Sequence, residues 1–177
     1  MVSEVRRKYK RAPSLGSPHR EAFMTYEDLK KYLTKCGLEK VASCRIVDRE
    51  FKIKIFDPEP EIVTHGKCIY VFLMESGYVR VGSTKAPLKK RLRNYELHIT
   101  HALRREKSPA PDEEATKWRK ALSGGKSGTV YAREGTKVNT RVQDKPFPAY
   151  LDEESLLIGK MFDEWPHDLI INRNKHR

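Results

Sequence analysis

What the chain lacks narrows its class before any motif is read. No apolar run approaches the length of a membrane-spanning helix, so a soluble protein with no membrane partner is expected. Cysteine is scarce. Cys36, Cys44 and Cys68 form no C-x-x-C pair and no even disulfide set, which excludes a disulfide-stapled secreted scaffold and leaves three small reduced core residues. The basic stretch Arg6-Arg7-Lys8 leads into Tyr9-Lys10-Arg11 and not into an apolar segment, so no secretion signal is read and an intracellular, cytoplasmic protein is expected. No internal repeat is visible. Acids are also short: 24 Asp and Glu face 36 Lys and Arg, a formal charge of +12.

The excess of bases is clustered. Arg6, Arg7, Lys8, Lys10 and Arg11 lie together, as do Lys85, Lys89, Lys90, Arg91 and Arg93, and Arg173, Lys175 and Arg177. Clustered cations gain affinity for a polyanion by releasing its condensed counterions, so a nucleic acid is the expected partner, ahead of an acidic membrane or protein surface. At 177 residues the chain has the length of one domain. Residues 1–20, basic and carrying Pro13, Gly16 and Pro18, read as a flexible arm, residues 21–60 as a helix and strand extension, and residues 61–177 as the main domain.

Periodicity places the elements. Thr25, with Asp28 three residues on and Leu29, Tyr32 and Leu33 at helical spacing, predicts a capped helix that ends near Gly37. Between Cys44 and Phe56 the period changes to two, with Phe51, Ile53 and Ile55 alternating against Lys52 and Lys54, which predicts a strand with one wet face. Cys68–Leu73 and Tyr78–Val81 predict an antiparallel hairpin through Glu75-Ser76-Gly77. Alternation puts Ile69, Val71, Leu73, Val79 and Val81 on one face and Tyr70, Phe72, Tyr78 and Arg80 on the other. A helix from near Pro87, with Leu88, Leu92, Tyr95, Ile99 and Leu103 on its seam, sets Arg91 and Tyr95 one turn apart. A further helix over Glu113–Leu122, a third strand over Thr129–Arg133 and a last helix over Asp152–Glu164, capped by Asp152, complete the pattern. The triplet Gly125-Lys126-Ser127 lacks the upstream glycine and buried strand of a phosphate loop.

The order Cys68-Ile69-Tyr70, then Arg80-Val81-Gly82, then a helix with Arg91 and Tyr95, then an acid opening a late helix, resembles the GIY-YIG nuclease superfamily over roughly Gly66 to Asn172. Gly82-Ser83-Thr84-Lys85, Lys90-Arg91-Leu92, Val130-Tyr131-Ala132-Arg133 and Leu157-Ile158-Gly159-Lys160-Met161-Phe162 look most like its phage endonuclease II and restriction endonuclease branches. Cys68 stands where that family usually has Gly, Arg80 where it has Tyr, and Tyr95 where His is common; the last two resemble choices of the restriction enzymes. Pattern and resemblance together give an α+β fold, a small three-stranded antiparallel sheet flanked by helices, with a basic N-terminal arm.

The resemblance implies a metal-dependent DNA endonuclease that uses Mg²⁺ or Mn²⁺ on double-stranded DNA, and it is compatible with a homo-oligomer. Tyr70 would be the general base or relay to the attacking water. An isolated Tyr has a pKa of about 10, so it needs positive charge nearby, from the metal or Arg80, to serve near neutral pH. Arg91 would grip the scissile phosphate with its forked donors, Tyr95 would stand beside it, and Glu154 would hold the metal, with Glu153 in reserve. Lys85, Lys89, Lys90 and Arg93 would contact DNA, Lys117 is similar to a lysine of the endonuclease II insert, and Asn172 to a late Asn that supports the site. Singly, each residue has a plainer reading: Tyr70 a strand aromatic, Arg91 one base on a basic helix, Glu153 or Glu154 an acid favoured by the helix dipole. Only the joint order raises catalysis above a non-catalytic nucleic-acid-binding module of the same fold. His98 and His101 have no third ligand at metal spacing and read as a solvated or DNA-facing pair.

Overall fold

A computed structural model describes residues 24–104, 112–139 and 146–172, so the basic arm at residues 1–20 lies outside the described residues. Helix α1 (Tyr26–Lys35) starts at the expected capping box: the Asp28 amide donates to Thr25 Oγ1 at 3.2 Å and the Thr25 amide to Asp28 Oδ2 at 3.4 Å. Leu29 and Leu33 are its buried stripe, and Gly37 at φ 78° turns the chain out of it.

The region read as one strand between Cys44 and Phe56 is two. Strands β1 (Glu39–Val47) and β2 (Glu50–Ile55) form a hairpin closed by Asp48 and Arg49, at φ 50° and 64°. Strands β3 (Cys68–Met74) and β4 (Val79–Thr84) form the expected second hairpin, followed by α2 (Leu88–Leu103), α3 (Asp112–Ala121) and β5 (Gly128–Glu134). The sheet has five strands in the order β2-β1-β5-β3-β4, not three, because β5 pairs antiparallel with β1 on one side and with β3 on the other. A short ribbon of β6 (Lys137–Val138) and β7 (Phe147–Pro148) leads into α4 (Tyr150–Glu164). Asp152 lies in the first turn of α4 and the N-cap is Ala149, so this acid complements the helix dipole without capping it.

Alternation along the strands divides the core between the two faces of the sheet. Cys68, Tyr70, Phe72 and Met74 pack with Leu88, Leu92, Tyr95 and Ile99 of α2 and Trp118 of α3, whereas Ile69, Val71, Leu73, Val79 and Val81 pack with Leu29 and Leu33 of α1 and Leu157 and Met161 of α4. The edge strand β4 is half sealed from outside: Val79 bridges in parallel to Ile170, and the Ile171 amide donates to the Val79 carbonyl at 2.8 Å. Among the described residues no helix is long and apolar enough to cross a membrane.

Candidate active site

Tyr70 lies fully buried on β3, directly opposite Gly82 of β4. A Cβ at position 82 would stand 2.5 Å from the Tyr70 ring and hydroxyl, so glycine is what lets the phenol lie flat across β4 toward α2. There Arg91 Nε donates to the Tyr70 hydroxyl at 3.0 Å, and that hydroxyl donates to the Tyr95 hydroxyl at 3.2 Å. The Arg91 guanidinium also rests 5.1 Å from the centre of the Tyr95 ring. Three residues chosen from sequence order are thus one hydrogen-bonded group.

Burial raises the Tyr70 pKa well above the ordinary tyrosine value, Tyr95 beside it adds to the rise, and Arg91 offsets it only in part. The positive charge that a Tyr70 base would need is outweighed here by burial, so the pocket favours the neutral phenol. Tyr70 rests as a neutral phenol with its proton on the Tyr95 side.

Arg80 occupies the same face, as alternation predicts, but it is paired. Its Nε lies 3.4 Å from Glu114 Oε1 of α3 and its Nη1 donates to the Val81 carbonyl. Burial by itself penalises the guanidinium; Tyr95 and Glu114 outweigh that penalty and keep it cationic. Glu114 has no sequence signal that marks it, being one acid among several at the start of a helix.

The two acids of α4 part company. Glu153 is bound to Arg133 Nη2 at 2.8 Å and takes the Thr136 amide at 3.0 Å, and these partners hold its carboxyl below the ordinary range against the opposing effect of burial. Glu154 instead receives the Ser83 hydroxyl at 2.5 Å. Ser83 follows Gly82, so Glu154 reaches the β4 edge one residue from the glycine on which Tyr70 rests. No cation is paired with it among the described residues. A half-buried carboxylate without a cation, next to a hydroxyl and at the uncovered end of an edge strand, fits a hard divalent cation, since Mg²⁺ is ordinarily held by one or two carboxylates together with water and substrate phosphate. Among the described residues no group of three His, Cys, Asp or Glu is gathered as a self-sufficient metal cage.

The remaining residues expected to contact DNA fall into two groups. Lys89, Lys90 and Arg93 line a groove of about 680 Å³ between α2 and β2, where Lys89 is paired with Glu59 at 2.8 Å, and Lys85 is exposed on the turn that leads into α2. Lys117 and Asn172 are engaged internally. Lys117 Nζ donates to the Ile170 carbonyl at 2.7 Å, and the Asn172 amide both accepts from the Val81 amide and donates to the Val81 carbonyl, each at 2.9 Å. Asn172 therefore extends the β4 edge as another strand would.

The fold has likenesses among solved structures. The chain is similar to bacteriophage T4 EndoII in the structure of a point mutant of that protein, with 20% identity, a TM-score of 0.51, and coverage of 77% of this chain and 97% of that one. Restriction endonuclease HPY188I in complex with product DNA also matches, at 15% identity and a TM-score of 0.44, over 84% of this chain and 91% of that one. No protein-family model matches the chain. No curated protein matches it either.

Proposed function

We propose that the protein is a GIY-YIG-type, metal-dependent DNA endonuclease that hydrolyses phosphodiester bonds at the site formed by Tyr70, Arg80, Arg91, Tyr95 and Glu154. The observation that carries this reading is the convergence on one edge strand: Tyr70, held by Arg91 and Tyr95, rests on Gly82, while Glu154 is held by the adjacent Ser83. A binding module needs no carboxylate without a cation among the described residues where a phosphate would lie. The fold shared with phage T4 EndoII and the charge of +12 support the same reading.

Hydrolysis needs a proton taken from water and charge stabilised on the phosphorane and the leaving oxygen. A phenol has one donor and two acceptor positions. The Tyr70 hydroxyl donates to Tyr95 and accepts from Arg91 Nε, which leaves one acceptor position for a water proton. Tyr70 therefore works as a relay: it takes up the water proton as its own passes to the Tyr95 hydroxyl and the Tyr95 proton passes on to solvent at the slightly exposed Tyr95, so no free phenolate is required. Arg91, with Nε fixed on Tyr70, offers its terminal donors to the scissile phosphate. Arg80, held cationic by Glu114, adds positive potential to the same face. Glu154 would hold a Mg²⁺ or Mn²⁺ ion, which when bound would supply charge neutralisation at the leaving oxygen. Lys85, Lys89, Lys90 and Arg93 bind the flanking backbone of a DNA duplex, electrostatically and without sequence readout.

The test is plasmid cleavage by the purified full chain, with Mg²⁺ and with EDTA, beside Glu154→Ala. Cleavage is expected with Mg²⁺ alone, and the variant is expected to bind DNA as tightly as the parent or tighter while cutting at least about 100-fold more slowly. Binding without cleavage under any divalent ion would leave the fold as a non-catalytic binding module.

A further inference from the structure

A second basic surface lies on the other face of the sheet and toward its other edge. In the first hairpin, Phe51, Ile53 and Ile55 turn to the α2 side, so the alternate residues face the side on which α1 and α4 lie. Helix α4 covers β3 and β4 there, and no described helix covers β1 and β2. Ser43 stands in register with both Thr129 and Lys54, and Arg45 with Lys52, so hydroxyls and cations form two cross-strand rows. Lys52 is held by Glu50 at 2.6 Å, whereas Arg45 and Lys54 are exposed with no ion-pair partner among the described residues. Lys40, paired in register with Tyr131 on that face, leads into a groove of about 510 Å³ lined by three lysines of α1. The one acid on the groove, Glu27, is taken up by Lys30 at 2.9 Å.

Three features make this more than a wet sheet face. Along the rows through Lys40, Ser43, Arg45 and Lys54 every side chain offers a hydrogen-bond donor, and the free charges are all positive. Wet faces ordinarily mix charges of both signs. Most apolar residues of the hairpin are on its other side; Val47 opposite Glu50 at the turn and the exposed Phe56 just past β2 lie at the ends of this face, so along the rows between them a protein partner would find little to bury. The cations and hydroxyls together complement a phosphodiester backbone.

We propose that the outer face of the β1–β2 hairpin, with the α1 groove, is a second DNA-binding surface that holds the backbone of a duplex segment other than the one at the catalytic edge. The inference takes DNA as the partner from the reading above. Four strand spacings, about 19 Å, separate β4 from β2, and α1 and α4 stand on the sheet between the two surfaces. Tyr70 and Arg91, moreover, belong to the opposite face, and Glu154, which shares this face, is held at the far edge by Ser83 of β4. A straight duplex lying across the β4 edge therefore does not touch Arg45 or Lys54. One chain can hold two segments, which brings separate stretches of DNA together.

The test is capture of a fluorescent duplex by a second duplex fixed to beads, through the full chain in EDTA so that nothing is cut. The parent protein is expected to retain the fluorescent duplex. The triple variant Lys40→Gln/Arg45→Gln/Lys54→Gln should retain at least about tenfold less, and its slope of log affinity against log salt should be smaller by about 2.7, three phosphate contacts at about 0.9 each. Should the triple variant melt early, Arg45→Gln and Lys54→Gln taken singly should each lower the slope by about 0.9. Retention by the folded variants equal to that of the parent would show bridging through another surface or through self-association and overturn the proposal, as would no retention by the parent. A chain that bridges duplexes in this way but cuts none upholds this surface and overturns the nuclease reading; one that cuts with Mg²⁺ and bridges nothing does the reverse.

Discussion

Glu153 and Glu154 are neighbours in sequence and partners of different things, and the difference is measurable. Glu153→Gln removes the charge bound to Arg133 and the Thr136 amide, so it is expected to lower stability by on the order of 1 to 2 kcal/mol while the folded fraction cleaves at the parental rate. Chemical denaturation read beside plasmid cleavage checks both halves. Tyr70 gives a second residue-scale expectation. Its pKa in the folded chain is raised above the unfolded value of about 10, so the stability that comes from keeping the phenol neutral is complete below that pH and is lost as pH rises beyond it. Above about pH 10 the parent should lose up to about 1.4 kcal/mol per pH unit through this group, and Tyr70→Phe should lose that much less steeply in alkaline denaturation series. The order of Tyr70, Arg91 and Glu154, on which the proposed site rests, was legible in the sequence. Glu114 was not: its partner lies 34 positions away and no spacing rule links a strand arginine to an acid of a later helix.

At the scale of elements, α3 and the last described segment act on the site from outside it. The Arg80–Glu114 pair ties α3 to β4, and Glu114→Gln, which strands a largely buried guanidinium, is expected to destabilise by on the order of 3 kcal/mol. Arg80→Met combined with Glu114→Leu should recover most of that loss, since an apolar pair needs no compensation, yet remain at least about 100-fold slower in single-turnover cleavage. A fully active double variant would remove Arg80 from the site. Asn172 ties the segment from Ile170 to the β4 edge through two hydrogen bonds to Val81, so Asn172→Ala should speed amide exchange at Val81 and Ile171 in a hydrogen-exchange experiment, with the interior of β3 unaffected. Helix α1, the second hairpin and α2 follow from capping, alternation and seam residues. The first hairpin was read as one strand for a specific reason: its turn is Asp48-Arg49, both at positive φ, where the usual signal is a glycine, and Arg49 gives no such sign.

For the whole molecule the dominant quantity is charge. With +12 on 177 residues, affinity for DNA should fall steeply with salt, and deleting residues 1–20, which carry five clustered bases at Arg6–Arg11, should lower both the affinity and the salt slope while leaving single-turnover cleavage intact. Titration of a short duplex at several salt concentrations decides it, and an unchanged slope excludes the arm from contact. The five-stranded sheet was not legible because which strands are neighbours depends on pairings between distant segments, above all on β5. That strand is the last of the five to leave the ribosome and lies between β1 and β3. During synthesis each hairpin can close on its own, since its contacts are local, but the two remain separate until residues 128–134 enter between them and join the halves. Until then the nascent chain has two unfilled inner edges, at β1 and at β3, each a template for a stray strand. Translation that stalls before Gly128 thus leaves a product able to pair with its own kind, and the late strand that completes the five-stranded sheet also ends its period of exposure to aggregation.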